Sequence, residues 1–120
     1  MLESCAALAL LYLRLDMREL KLRKHSLKTA VPYFNAIVRG EKKFEVRRDD
    51  RGFQTGDKLL LRKHGKGPHS TSSVGYLDAD GEVTGIAEHA DTVEVKILWI
   101  LTGGQFGVEP GYVVMSIDVI

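Results

Sequence analysis

The sequence predicts a small, mainly β domain of the α+β kind, with five to six short strands in a strongly bent sheet or barrel and one or two helices. Three observations carry this. Short alternating runs of apolar and polar residues recur along the chain, bounded by Gly, Asp and Ser turns. One stretch, near residues 29–40, has clear helical spacing. The length of 120 residues with 44% apolar content suffices for one hydrophobic core and is too little for two comfortable domains.

Each element follows in order. Residues 20–24 alternate Leu20 and Leu22 with Lys21 and Arg23, an opening strand leading to His25. Thr29 is a fair helix N-cap, and Pro32 is tolerated in a first turn. Tyr33, Phe34, Ile37 and Val38 share one helical stripe, and Gly40 supplies the stop. A charged strand at 43–47 comes next. Its Phe44 and Val46 should enter a core, leaving Lys43, Glu45 and Arg47 on the other face. Turns at 49–52 and 55–57 precede the apolar strand 58–62. Residues 64–85 form a loop and a hairpin around Asp78-Ala79-Asp80-Gly81, with 82–84 returning. The longest strand is 92–101, with Val93, Val95, Ile97 and Trp99 on one face. Residues 103–107 are a flexible connection that lacks the Gly-Lys-Ser/Thr ending of a phosphate loop. The last strand, 112–119, buries Val113, Met115, Ile117 and Val119.

Residues 6–13 are compactly apolar but too short to span a bilayer, and Glu3 rather than a basic residue precedes them. Neither a membrane span nor a signal peptide is expected. Residues 1–16 are a helical extension that packs on the domain or a neighbouring chain, or else Met17 is the true start. Residues 17–120 form the domain proper. A single cysteine, Cys5, excludes an internal disulfide, and His25, His64, His69 and His89 lack paired metal spacing. No metal and no cofactor are expected. The free thiol suits a reducing, cytoplasmic setting.

The net charge of +1 hides an asymmetry. Residues 18–66 hold 15 Lys/Arg against 6 Asp/Glu, a net of +9, and the remainder nets −8. One basic surface, the electrostatic footprint of a polyanion binder, would follow. If strand pairing mixes the two halves, the field largely cancels.

The densest candidate site is Gly40-Glu41-Lys42-Lys43-Phe44-Glu45-Val46-Arg47. A glutamate among cations can fix their geometry, and an arginine fork suits phosphates and base edges. With Gly-x-Lys-x-x-Glu-x-Arg filled at Gly40, Lys42, Glu45 and Arg47, the sequence resembles the ASCH domain of the PUA-like superfamily. It is similar in particular to the subgroup called domain of unknown function DUF3850. The matching pattern is His25-Ser-Leu-Lys28, Tyr33-Phe34, the signature, Asp50-Arg51-x-Phe53-x-x-Gly56-Asp57, Gly81-Glu-x-Thr84-Gly85 and Gly111-Tyr112-Val-Val. It covers about residues 20–120. The resemblance implies a PUA-like β-barrel with a cleft lined by the signature residues, and an RNA- or nucleotide-related role. Some ASCH proteins are ribonucleases, and one branch is an acetylcytidine amidohydrolase. That branch carries threonine where Glu45 stands and bears a catalytic glutamate where this chain has a short glycine-rich link.

Lys42 is the best single candidate, as a ligand contact or as nucleophile or base assisted by Glu45; its alternative is a solvated lysine. Glu45 and Arg47 orient a substrate or form an ion pair that closes the barrel. Lys43 is a ligand-contact candidate as the cation beside Lys42, and Arg48, Arg51 and Lys58 read as rim cations for a phosphate backbone, although Arg48 and Arg51 can instead pair locally with Asp49 and Asp50. His25 and Lys28 flank the start of the helix and could hold an anion there, unless His25 is a buried, hydrogen-bonded ring. Phe53 and Tyr76, in loop-like segments, are candidates to stack on an unpaired base, whereas for Trp99, on one face with Val95 and Ile97, the core is favoured over base stacking. Tyr112 opens the last strand and can line the cleft. Three functions fit: an RNA- or nucleotide-binding module, a small metal-independent hydrolase of RNA or a nucleoside amide, and a protein-interaction or regulatory module. The first is preferred. The oligomeric state stays open.

Overall fold

The structure is a computed structural model and describes residues 23–67 and 73–120. The possible extension at 1–16 and most of the predicted opening strand at 20–24 lie outside those residues. The elements are β1 (Lys24–Ala30), α1 (Val31–Val38), β2 (Phe44–Arg48), β3 (Lys58–Lys66), β4 (Val74–Leu77), β5 (Val83–Thr84), a 3-10 turn (Ala87–His89), β6 (Thr92–Thr102) and β7 (Tyr112–Val119).

All seven strands join one sheet in the order β2-β7-β6-β3-β4-β5, with β1 added in parallel against β3. The other pairings are antiparallel. β3 organises the sheet: residues 58–64 run beside β1, residues 58–62 also pair with β6, and residues 64–66 pair with β4. The sheet is not closed into a barrel. Among the described residues β1 pairs only with β3 and β2 only with β7, so each keeps one edge without a backbone ladder.

One face of the sheet holds the core: Leu27, Leu59, Leu61, Val95, Ile97, Val113, Met115 and Ile117 from the strands, with Phe34 and Ile37 from α1 and Phe53 from the β2–β3 loop. Each such side chain contributes about 1.5–3 kcal/mol by leaving water.

Several expectations change here. Among the described residues the strand count is seven rather than five or six, because the 64–85 segment holds the end of β3 as well as β4 and β5. β1 begins at Lys24, so His25 lies within the first strand instead of after it. Thr29 is not a helix cap. It is buried in β1, and Ala30 takes the N-cap position without a side-chain hydrogen bond, followed by Pro32 in the first turn. On α1, Phe34 and Ile37 are buried whereas Tyr33 and Val38 are exposed, so the apolar stripe is narrower than its spacing implied. Trp99 leaves the core because β6 bulges between Ile97 and Trp99, which shifts the alternation and turns Ile100 inward. Val119 is exposed at the end of β7.

The largest reversal is in β2. Phe44 and Val46 face outward, and Glu45 is the buried residue, 3% exposed. A buried carboxylate is costly unless paired and hydrogen-bonded, and its neighbours meet that condition.

Candidate binding cleft

The α1–β2 turn sets the cleft. Gly40 adopts a left-handed φ of 76°, its N–H donates to Ile37 O, and the N–H groups of Glu41 and Lys42 both donate to Ala36 O. This closes the helix and delivers Lys42 beside the start of β2. The Lys42 ammonium donates to Glu45 Oε1 at 2.7 Å and to Phe44 O at 2.5 Å. It also lies 4.8 Å from the Phe44 ring centroid and 5.6 Å from that of Tyr33.

Arg47 completes the arrangement from the other side. Its Nε donates to Glu45 Oε2 at 2.8 Å, and its Nη2 donates to Lys28 O at 2.9 Å and Thr29 Oγ1 at 3.1 Å. Glu45 thus receives one cation on each oxygen, and the fork of Arg47 reaches from β2 to β1. The free edges of β1 and β2 are bridged here by side chains instead of a ladder. In the seam between them opens a cleft of about 530 Å³, lined by Lys28, Thr29, Ala30, Tyr33, Lys42, Phe44, Glu45, Val46 and Arg47. Three cations and one carboxylate leave its lining net positive. Its volume falls within the range of small-molecule sites, roughly 300–1,000 Å³.

The structure brings Lys28, Lys42, Glu45 and Arg47 together at this cleft. The other predicted site residues lie elsewhere. His25 Nε2 is 2.9 Å from Asp57 Oδ2, and its ring stacks edge-on with Phe53 at 5.0 Å; it is the hydrogen-bonded ring, away from the start of the helix. Phe53 is buried in the core and cannot stack on a base, because the loop folds it inward when its N–H donates to Asp49 Oδ1. Lys43 is exposed and lines a separate, smaller hollow with Ile37, Val38 and Val119. Arg51 donates to Ser26 O, tying the β2–β3 loop to β1. The Arg48 guanidinium lies 5.4 Å from the Tyr112 ring centroid, outside the cleft lining. Tyr76 meets His64 edge-on at 5.3 Å with the Lys28 ammonium 5.6 Å from its ring.

Three lining residues have other roles in the sequence reading, Thr29 as a cap and Phe44 and Val46 as core, while Tyr33 is there either core or a hydroxyl turned into the cleft. The available signal was the buried Glu45. Once a residue of the charged set turns inward, period-two alternation requires its apolar neighbours to turn out.

Chemically, the site is a preorganised cation pair. Two of the three N–H donors of Lys42 are committed to protein oxygens, which leaves one for a ligand. Tyr33 and Phe44 supply flat apolar walls beside it. Among the described residues no group of three or more His, Cys, Asp or Glu side chains is placed to hold a metal ion, and no helix is long and apolar enough to cross a membrane.

The family described as "Domain of unknown function (DUF3850)" matches residues 24–117, which include every element named above but the end of β7. The chain belongs to the DUF3850 family. This DUF3850 chain is also similar to "Uncharacterized 12.9 kDa protein in GpA 3'region" of Escherichia phage P2, 27% identical over 74 residues. That match covers 62% of the chain and 63% of the phage protein, so it spans less than two thirds of the relative's length.

Proposed function

We propose that the chain is an RNA- or nucleotide-binding module of the ASCH, PUA-like type, acting in the cytoplasm and using the β1–β2 cleft. The observation that carries this reading is the pairing of aromatic walls, Tyr33 and Phe44, with a net-positive lining fixed by one buried carboxylate. Aromatic faces stack on bases of any sequence, and the cations suit the phosphates. The Gly40-x-Lys42-x-x-Glu45-x-Arg47 signature and a sheet whose two edges almost meet support the finer fold assignment.

The geometry gives each signature side chain a different part. Glu45 holds Lys42 and Arg47 in place. Lys42 presents its remaining N–H to the ligand. Arg47 acts mainly as a strut between β2 and β1. Lys28, an exposed lining residue whose ammonium lies 5.6 Å from the Tyr76 ring, is the cation outside the Glu45 network and free to meet a phosphate.

The test is calorimetric titration of the protein with nucleoside monophosphates and with a short single-stranded RNA, followed by a gel of the RNA. Binding that weakens in Lys28→Glu and leaves the RNA intact is the expected outcome. Cleavage that disappears in Lys42→Ala would replace the binding module with the metal-independent hydrolase. Absence of binding to every nucleotide and to RNA would remove the proposal.

A further inference from the structure

The outer face of the β2–β7–β6 ribbon is not accounted for by the cleft or the core. Register sets Phe44, Ser116 and Trp99 in one row across the three strands, and Val46, Val114 and Leu101 in the next. Residues in one row stand on the same side of a sheet. Phe44, Val46 and Trp99 are each about half exposed or more, Trp99 at 61%. The neighbouring β2–β7 pair is Arg48 with Tyr112, whose ring lies against the Arg48 guanidinium.

Beyond that pair, the β6–β7 connection is a hydrogen-bonded hairpin rather than the flexible link expected from its glycines. Gly104 N–H donates to Val108 O, and Val108 N–H donates to Gln105 O. Phe106 and Gly107 have φ of 51° and 77°. Two successive positive φ values mark a type I′ turn, whose first position favours asparagine, aspartate or glycine. Phe106 is strained there and yet 86% exposed. Core packing does not account for this side chain, and local turn preference opposes it.

We infer that this face is a stacking platform for single-stranded RNA, continuous with the cleft, with a base inserted between Phe44 and Trp99 above Ser116. This rests on the nucleotide-binding reading of the cleft. Neighbouring strands lie about 4.8 Å apart, so the backbones under Phe44 and Trp99 are roughly 9–10 Å apart, with only a serine side chain between them. That spacing admits one planar ring flanked by two aromatic side chains. Phe44 and Val46 also line the cleft, so a strand leaving the cleft meets the platform directly. Charge favours nucleic acid as the occupant. Lys42, 4.8 Å from the Phe44 ring, and Arg48, against Tyr112, border the β2 side of the face, next to the net-positive cleft. A guanidinium already stacked on Tyr112 gives a further flat cationic surface for a base or phosphate.

Trp99 is the chain's single tryptophan, so its fluorescence reads this face directly. The full chain is titrated with adenosine monophosphate and with a labelled single-stranded RNA of about twelve nucleotides. The RNA is expected to quench Trp99, whereas the mononucleotide binds in the cleft without quenching it. Trp99→Ala and Ser116→Leu, both on the outer face, should lower RNA affinity about tenfold by anisotropy and leave mononucleotide binding unchanged. Unchanged RNA affinity in both variants with unquenched Trp99 would overturn the platform while the cleft reading stands. If the wild type binds neither probe, both readings fall. A dimer in sedimentation that Trp99→Ala converts to monomer, with RNA affinity unaltered, would make the face a self-association surface and also overturn the inference.

Discussion

Replacing Arg47 by lysine isolates what its fork contributes. The guanidinium makes one charge-assisted bond to Glu45 Oε2 and two bonds to neutral oxygens on β1, Lys28 O and Thr29 Oγ1. A lysine ammonium can keep the carboxylate contact but cannot span all three positions. Two hydrogen bonds to neutral acceptors are then lost, each worth about 0.5–1.5 kcal/mol, for a total near 2 kcal/mol. At about 4 °C per kcal/mol for a domain of this size, the melting temperature should fall by about 8 °C. Arg47→Ala also leaves buried Glu45 with Lys42 alone, which raises the cost to about 3 kcal/mol, the low end for a broken buried pair because the Arg47 side chain is a quarter exposed. Thermal and urea unfolding followed by circular dichroism measure both. If Arg47→Lys lies within about 0.5 kcal/mol of wild type, Arg47 is not the strut across the seam.

Three further outcomes follow from other parts of the molecule. Phe106→Asn relieves a left-handed phenylalanine and should stabilise by about 1 kcal/mol in urea unfolding; a destabilised variant would contradict the type I′ assignment. Phe53→Ala should cost about 3–5 kcal/mol, seen in the same unfolding assay, and a folded Phe53→Leu should bind nucleotides as wild type does; weaker binding by Phe53→Leu would return Phe53 to the site. The Glu41 carboxyl is held below the usual carboxylate range, chiefly by the hydrogen bond from Arg39 and then by its charge. Because the folded value is depressed, the pair's small contribution is present above that range and lost as pH falls through the lowered value. Arg39→Ala should return Glu41 to ordinary titration by carboxyl NMR, with no measurable change in melting temperature for so exposed a pair.

What could be read in the sequence was period and punctuation, and what could not was phase. The strands at 58–62, 92–101 and 112–119, the 78–81 turn and the Gly40 stop all appear in the structure because local alternation and turn chemistry determine them. β2 shows the limit. Its alternation was plain, but the rule that apolar residues go inward picked the wrong face. Cations three residues before and two residues after Glu45 together make its burial tolerable, a compensation that the apolar-inward rule does not weigh. Trp99 failed for a related reason: one bulge reverses all later facings, and no residue in the run marks it. Thr29 and His25 were assigned from their neighbours in sequence, whereas their partners, Arg47 and Asp57, lie 18 and 32 residues away. At the site, the signature residues Lys42, Glu45 and Arg47 were legible as a cluster. The aromatic wall was not, because it consists of residues that an ordinary pattern reading places in the core.

The central claim is that the β1–β2 cleft binds RNA through fixed cations, and salt-dependent anisotropy tests it most directly. Labelled single-stranded RNA is titrated at several salt concentrations with wild type and with Lys28→Glu, an exposed change at the mouth that spares the Glu45 network. For single strands the logarithm of affinity should fall with the logarithm of salt by about 0.7 per phosphate contact. Lys28→Glu should reduce affinity at low salt about tenfold and flatten that slope by about one contact. An affinity indifferent to salt, or a Lys28→Glu protein that binds as wild type does, would contradict the account.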